Sequence, residues 1–224
     1  VHGTTVATNA IIEGKVAPTG FITTDGFRDM LEIARQIRPE LYNLQFEKPR
    51  PLVPRHHCFG VPERLDARGE VLVPLDEDAL RQVAGELKEA GVESIAVCFL
   101  HAYANPIHER RAGEILAEVF PQAVVSLSAE VAPEFREYMR ASTTVINGCI
   151  RPVVARYLQR IEERLEQAGI KAELLVMQSS GGVYTFAAAQ QQPVYMVESG
   201  PAAGVIAAAY LGQALGYDQV ISFD

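Results

Sequence analysis

Ser94-Ile95-Ala96-Val97-Cys98-Phe99-Leu100 decides the fold. The run has one hydroxyl and no charge, so it reads as a strand buried on both faces. After it, residues 107–120 put Ile115, Leu116 and Val119 inward at helical spacing. Before it, residues 78–90 put Leu80, Val83, Ala84 and Leu87 on one helical face, and Gly91 suits the position past its end. A buried strand between two amphipathic helices predicts an α/β domain with a largely parallel core.

The same alternation extends outward. Residues 21–24 are short and β-prone. Residues 25–37 carry Phe27, Met30, Leu31, Ala34 and Ile37 at helical spacing; Thr24 or Asp25 can cap this helix and Pro39 stops it. Residues 40–75 are rich in Pro, which predicts an extended arm with one hairpin, 59–65 and 70–74 around a turn at 66–69. Residues 123–127 read as a strand, and 133–140 as the start of a helix that 143–150 continues. Pro152 suits the first turn of a next helix, with Val154, Tyr157, Leu158, Ile161 and Leu165 inward and Gly169 at its end. A strand at 174–178, a small-residue helix at 201–215 and a final strand at 220–223 complete the chain. Arg136 and Arg140, flanked by Glu134 and Glu137, read as surface ion pairs.

The chain has 224 residues, 48% apolar and 21% charged, the composition of a globular domain rather than a disordered segment. Its 20 basic and 28 acidic residues give a formal charge of −8. That balance argues against nucleic acid or an anionic membrane as partner, since both need a basic face. Three separated cysteines imply no disulfide framework and suit a reducing cytoplasm. The longest apolar stretch, residues 200–212, falls short of the roughly 20 residues a membrane-spanning helix needs. Val1 opens the chain directly in strand-like sequence, so a piece of a longer protein is expected.

Several chemistries are missing from the sequence. There is no G-x-x-x-x-G-K-[ST], no G-x-G-x-x-G, no G-x-S-x-G and no C-x-x-C. His108-Glu109-Arg110-Arg111-Ala112 begins like a zinc helix but has Ala where the second His belongs. Three stretches remain, dense in Gly, Ser and Thr: residues 1–10, 177–182 and 198–204. Each offers backbone N–H groups and hydroxyls at a strand end or helix start, for tight packing or for an anion such as phosphate.

In order along the chain stand His2-Gly3-Thr4-Thr5-Val6-Ala7-Thr8-Asn9-Ala10, Ile22-Thr23-Thr24-Asp25-Gly26-Phe27-Arg28-Asp29, and Arg35-Gln36-Ile37-Arg38-Pro39 with Leu41-Tyr42. Phe99-Leu100-His101-Ala102-Tyr103-Ala104-Asn105-Pro106 follows, with His108-Glu109, then Ser142-Thr143-Thr144-Val145-Ile146-Asn147. Met177-Gln178-Ser179-Ser180-Gly181-Gly182 and Ser199-Gly200-Pro201-Ala202-Ala203-Gly204 close the set. Together these resemble the hydantoinase A / 5-oxoprolinase family over essentially the whole chain.

The resemblance implies a part of an actin-like ATPase fold, similar to actin, sugar kinases and heat-shock chaperones: α/β, a mixed sheet with flanking helices. Such proteins close two halves over ATP. The chain looks like the segment between their two phosphate loops, and is expected to be inactive alone. Residues 1–45 would belong to the first half, 46–77 would be the extended arm, 78–198 would complete that half, and 199–224 would start the second. The implied activity is ATP-dependent opening of a cyclic amide such as 5-oxoproline or a hydantoin, with Mg²⁺ on the phosphates, and the family's two-part assemblies imply a second hydantoinase or carboxylase subunit as a candidate partner. The alternatives are an ATP-using subunit of an acetone- or acetophenone-type carboxylase, and a non-catalytic actin-like ATPase acting as a chaperone. His2, Thr4 and Thr5 are the implied catalytic contacts, and Asp224 the residue near Mg²⁺ or the attacking water. Gly3, Gly181, Gly182, Gly200 and Gly204 would shape the nucleotide cleft. Arg35 and Arg38 would pair with a substrate carboxylate or phosphate.

Overall fold

The computed structural model describes residues 1–224 except Arg38, Leu41 and Asp224. In chain order the elements are α1 (Val6–Ile12), β1 (Thr19–Thr24), α2 (Met30–Ile33), β2 (Cys58–Val61), β3 (Arg64–Leu65), β4 (Val71–Val73), α3 (Glu77–Glu89) and β5 (Ser94–Cys98). Then come α4 (Ile107–Val119), β6 (Val124–Leu127), α5 (Ser128–Val131), α6 (Glu137–Gln167), β7 (Leu175–Met177), β8 (Val183–Thr185), α7 (Phe186–Gln191) and α8 (Ser199–Leu215). They group into two compact units, Ala17–Cys149 and Val1–Val16 with Ile150–Asp224. No helix among the described residues is long and apolar enough to cross a membrane.

In the unit of residues 17–149, four strands form a parallel sheet in the order β2-β1-β5-β6. Every residue of β1 and β5 is buried, as in central strands covered on both faces, and the buried hydroxyls of Thr19 and Thr23 in β1 donate to Ala17 O and Cys98 O. Leu87 of α3 sits directly over Gly20, where a Cβ would stand 2.5 Å from its Cδ2, so only glycine admits this packing. α3 starts where the Asp76 carboxylate accepts the Ala79 N–H at 2.9 Å, and Leu80, Val83, Ala84 and Leu87 face the core. Ile95, Val97, Ile115 and Leu116 join them. Because the strands are parallel, Thr24, Val61, Cys98 and Leu127 all end at one edge of the sheet.

Several expectations change. The helix at 25–37 shrinks to α2, because Gly26 (φ +84°) turns the chain and Ala34 and Gln36 (both φ +53°) end it. Thr24 therefore caps nothing and belongs to β1. Residues 59–65 are two strands, β2 parallel to β1 and β3 antiparallel to β4, divided at Pro62, which has no N–H to continue a ladder. The turn at 66–69 forms as expected, with Asp66 Oδ1 accepting from the N–H groups of Arg68 and Glu70. Pro152 does not start a helix but lies inside α6. An interior Pro costs about 3 kcal/mol, and burial of Ile150, Val154 and Leu158 around it offsets that cost.

The second unit contains the antiparallel hairpin β7–β8, the helices α1, α7 and α8, and the later turns of α6. His2 forms a one-residue parallel bridge to Val176 on the other side of β7. Residues 220–223 form no strand, having no partner strand among the described residues.

Candidate functional site

His2 is fixed by β7. The His2 N–H donates to Leu175 O at 2.8 Å, and the Met177 N–H donates to His2 O at 3.0 Å. His2 Nε2 then lies 2.9 Å from the Tyr157 hydroxyl. Thr4 Oγ1 lies 3.5 Å from the same hydroxyl and accepts the Val6 N–H at 3.2 Å. Burial lowers the pKa of His2, which favours the neutral ring at pH 7. Thr5 is exposed, and its Oγ1 accepts from Asn9 Nδ2 at 3.3 Å.

The first turn of α8 meets this loop. Ser199 Oγ donates to Thr4 O at 3.1 Å, and the Glu198 N–H donates to Thr8 Oγ1 at 3.0 Å. Glu198 sits at φ +63°, unusual for a residue with a side chain, and this turns the chain sharply into α8. A Cβ on Gly200 would stand 3.1 Å from Thr5 Cγ2, so a small residue is needed for the approach. Gly3 faces Ala203, with a Cβ placed 3.7 Å from it. The β7–β8 turn closes with Gln178 N–H donating to Gly182 O at 2.7 Å. Gly181 there has φ +89°, and a Cβ on it would stand 2.6 Å from Ile206 Cδ1 of α8.

The structure thus brings together all three Gly-, Ser- and Thr-rich stretches within one unit. His2, Gly3, Thr4, Thr5, Gly181, Gly182, Gly200 and Gly204 share it, and a Cβ on Gly204 would meet open space. Arg35 lies in the other unit, at a cavity. Arg38 and Asp224 lie outside the described residues. Hydroxyls and backbone N–H groups of this kind fit a phosphate group. For Mg²⁺, no group of three or more His, Cys, Asp or Glu among the described residues is placed to hold a metal ion. Tyr157 is the partner that sequence reasoning missed. Helical periodicity counted it with the inward residues of α6 and gave its hydroxyl no role.

A second polar cluster lies at the carboxyl edge of the parallel sheet. Glu109 is fully buried; its Oε1 accepts from the Phe99 N–H at 2.9 Å and Ser128 Oγ at 2.6 Å, and its Oε2 from the Ala129 N–H at 2.8 Å. Arg140 is 1% exposed, so the surface ion pairs expected for it are corrected. It donates to Ser128 Oγ (3.0 Å), Phe99 O (2.6 Å) and Glu134 O (3.1 Å). Nearby, the Thr24 hydroxyl donates to buried Glu63, whose Oε2 is 2.7 Å from His108 Nδ1. Burial pushes Glu109 up to about 7, against the pull of its donors. The spacing of Arg140, Thr144 and Asn147 beside Ala141 and Val145 was the available signal: polar residues on an apolar helical stripe.

Residues 1–120 match the family model for the hydantoinase/oxoprolinase N-terminal region, and residues 140–224 that for hydantoinase/oxoprolinase. The chain belongs to the hydantoinase/oxoprolinase family. It is 34% identical over its whole length to the caprolactamase alpha subunit of Pseudomonas jessenii. It is 32% identical, also over its whole length, to the acetone carboxylase beta subunit of Xanthobacter autotrophicus. Against 5-oxoprolinase of Saccharomyces cerevisiae it is 33% identical over 91% of the chain. It spans 32%, 33% and 18% of those curated relatives. The crystal structure of the ATP-dependent caprolactamase superposes with a TM-score of 0.89 over 97% of this chain and 32% of that one, at 34% identity. The nucleotide-free acetone carboxylase gives 0.87 over 96% and 32%, at 32% identity. The α/β fold with flanking helices, of the actin-like ATPase type, is shared with both.

Proposed function

We propose that this chain is part of an ATP-dependent cyclic amidase that opens 5-oxoproline- or hydantoin-type rings. The observation that carries the reading is the meeting of residues 2–8, 177–182 and 198–204 around His2, Thr4 and Ser199. A lactam is resonance-stabilised and its nitrogen leaves poorly, so hydrolysis needs activation. The ring carbonyl oxygen attacks the γ-phosphorus of ATP and ADP departs. Water adds to the activated carbon, the C–N bond breaks as nitrogen takes a proton, and a second water attacks the resulting acyl phosphate at carbon, so that the C–O bond breaks and phosphate leaves with the oxygen of the ring carbonyl.

In this reading Thr4, Thr5 and the neutral imidazole of His2 contact the transferred phosphoryl group or the ring carbonyl, where charge develops. Gly3, Gly181, Gly182, Gly200 and Gly204 keep the nucleotide cleft open to phosphate. Arg35 and Arg38 hold a substrate carboxylate or phosphate, and Asp224 would hold Mg²⁺, which would neutralise charge on the phosphates. The subunit names of the caprolactamase and carboxylase relatives support a second subunit as partner. Three free, buried cysteines favour a reducing, cytoplasmic setting. The carboxylase reading is the second one, supported by the near-equal likeness to acetone carboxylase. A lactam labelled with ¹⁸O at its carbonyl decides between them. The amidase places the label in inorganic phosphate; unlabelled phosphate with turnover, or turnover only with ketone and bicarbonate, rejects it.

A further inference from the structure

We propose that the cavity between residues 31–37, residues 43–52 and α6 binds a small carboxylate with an apolar body. This deepens the acceptor role given to Arg35 and rests on that reading. The cavity lies wholly within the unit of residues 17–149 and has a volume of about 1020 Å³, just above the roughly 300–1,000 Å³ usual for small-molecule sites.

Its lining has two characters. Arg35, Lys48 and Arg50 supply three cations, and among the described residues no carboxylate is part of the lining, although the whole chain carries −8. Glu32, Glu40 and Glu47, the acids between residues 31 and 52, are not among the lining residues, and Glu40 Oε2 accepts from Asn43 Nδ2 at 2.8 Å. None of the three cations forms an ion pair with a described residue. The apolar part runs from buried Leu31 and Val145 to Ile37, which stands 65% exposed at the cavity. Apolar surface left in water beside uncompensated cations is complementary to an anion that also has apolar surface to bury.

The backbone supports the same reading. Ala34 and Gln36 flank Arg35, and both hold φ +53°. Residues with a Cβ pay about 1–2 kcal/mol for such a conformation, and strain of this kind collects at ligand sites. Here it turns the chain twice around Arg35. Arg supplies a planar fork suited to the two oxygens of a carboxylate, which is why that anion is assigned.

The test is calorimetric titration of the 224-residue chain with 4-phenylbutyrate, its neutral amide, acetate, and 3-phenylpropylphosphonate. The carboxylate should bind at least about ten-fold more tightly than the amide and than acetate. The triple substitution of Arg35, Lys48 and Arg50 to Gln changes exposed residues, and should remove the preference for carboxylate over amide. Ser142→Trp fills the cavity and should abolish binding of both, with circular dichroism confirming the fold. Equal binding of the amide, tighter binding of the phosphonate, or binding unaffected by Ser142→Trp overturns the proposal. The readout is independent of turnover. Selective carboxylate binding without lactam-driven ADP release would sink the amidase reading and leave the site standing, whereas the reverse result would sink the site alone.

Discussion

Replacing Arg140 by Leu should unfold the parallel-sheet unit more easily than any surface change. The guanidinium is buried and donates to Ser128 Oγ, Phe99 O and Glu134 O. Leu supplies none of these donors, and the acceptors remain within protein. Its charge also lies near Glu109, where it opposes the effect of burial on that carboxyl. Each buried acceptor left without a partner costs about 1–3 kcal/mol, and removing one partner from a buried charged cluster costs about 3–5 kcal/mol in all. Greater apolar burial by Leu recovers about 1 kcal/mol of that. A net loss of about 3 kcal/mol, with a urea m-value of about 2 kcal/mol/M, lowers the midpoint by about 1.5 M. The assay is urea unfolding of the 224-residue chain at pH 7, followed by far-ultraviolet circular dichroism. Adding Glu109→Gln removes the other buried charge, so the double substitution should cost less than the sum of the two. A midpoint within about 0.3 M of wild type, inside the ordinary range of surface substitutions, would refute the reasoning and return Arg140 to the surface role its sequence first suggested.

Burial holds the Glu109 carboxyl at about 7 in the folded chain, while an unfolded Glu releases its proton near about 4.3. The folded state therefore binds more protons between those values, so this group's contribution is full at low pH and is lost as pH rises toward 7. The loss is on the order of 3 kcal/mol, and it should disappear in Glu109→Gln; His2 and His57, both lowered, act in the opposite sense, so the difference between the two proteins is the quantity to measure. Tyr157→Phe deletes the hydroxyl beside His2 Nε2 and Thr4 Oγ1; it should cost about 1 kcal/mol in thermal unfolding and lower kcat for ADP release with little change in KM for ATP. Gly181→Ala, at φ +89° against Ile206, should destabilise by about 1–2 kcal/mol. Gly204→Ala meets open space inside α8 and should stabilise by about 0.5–1 kcal/mol, so a loss of ADP release in that variant would mark a role in the nucleotide cleft.

What was legible in the sequence followed from strong periodicity. Ile95 to Leu100 had no polar alternative to burial, and the Leu80, Val83, Ala84 and Leu87 stripe had one face to bury. The three small-residue stretches were legible as kinds of loop, but their meeting depends on long-range hydrogen bonds such as Ser199 to Thr4, which no local pattern encodes. Arg140 was misread because neighbouring Glu134 and Glu137 offered a simpler surface pairing, whereas its partners are a serine and two carbonyls. Residues 25–37 kept helical spacing, yet the Asp25-Gly26 turn and the turns at Ala34 and Gln36 overrode it. Pro152 marks a helix start only where the preceding segment has no reason to stay helical. Here burial of Ala141, Val145 and Cys149 keeps it so.

The central claim is tested most directly by ADP release from the full-length protein carrying this chain, with Mg²⁺ and ATP. The candidate acceptors are 5-oxoproline, hydantoin, and acetone with bicarbonate. The account predicts that a cyclic amide raises ADP release and is consumed in step with it, and that His2→Ala lowers both. ADP release driven by ketone and bicarbonate alone, or indifferent to every acceptor, would contradict it.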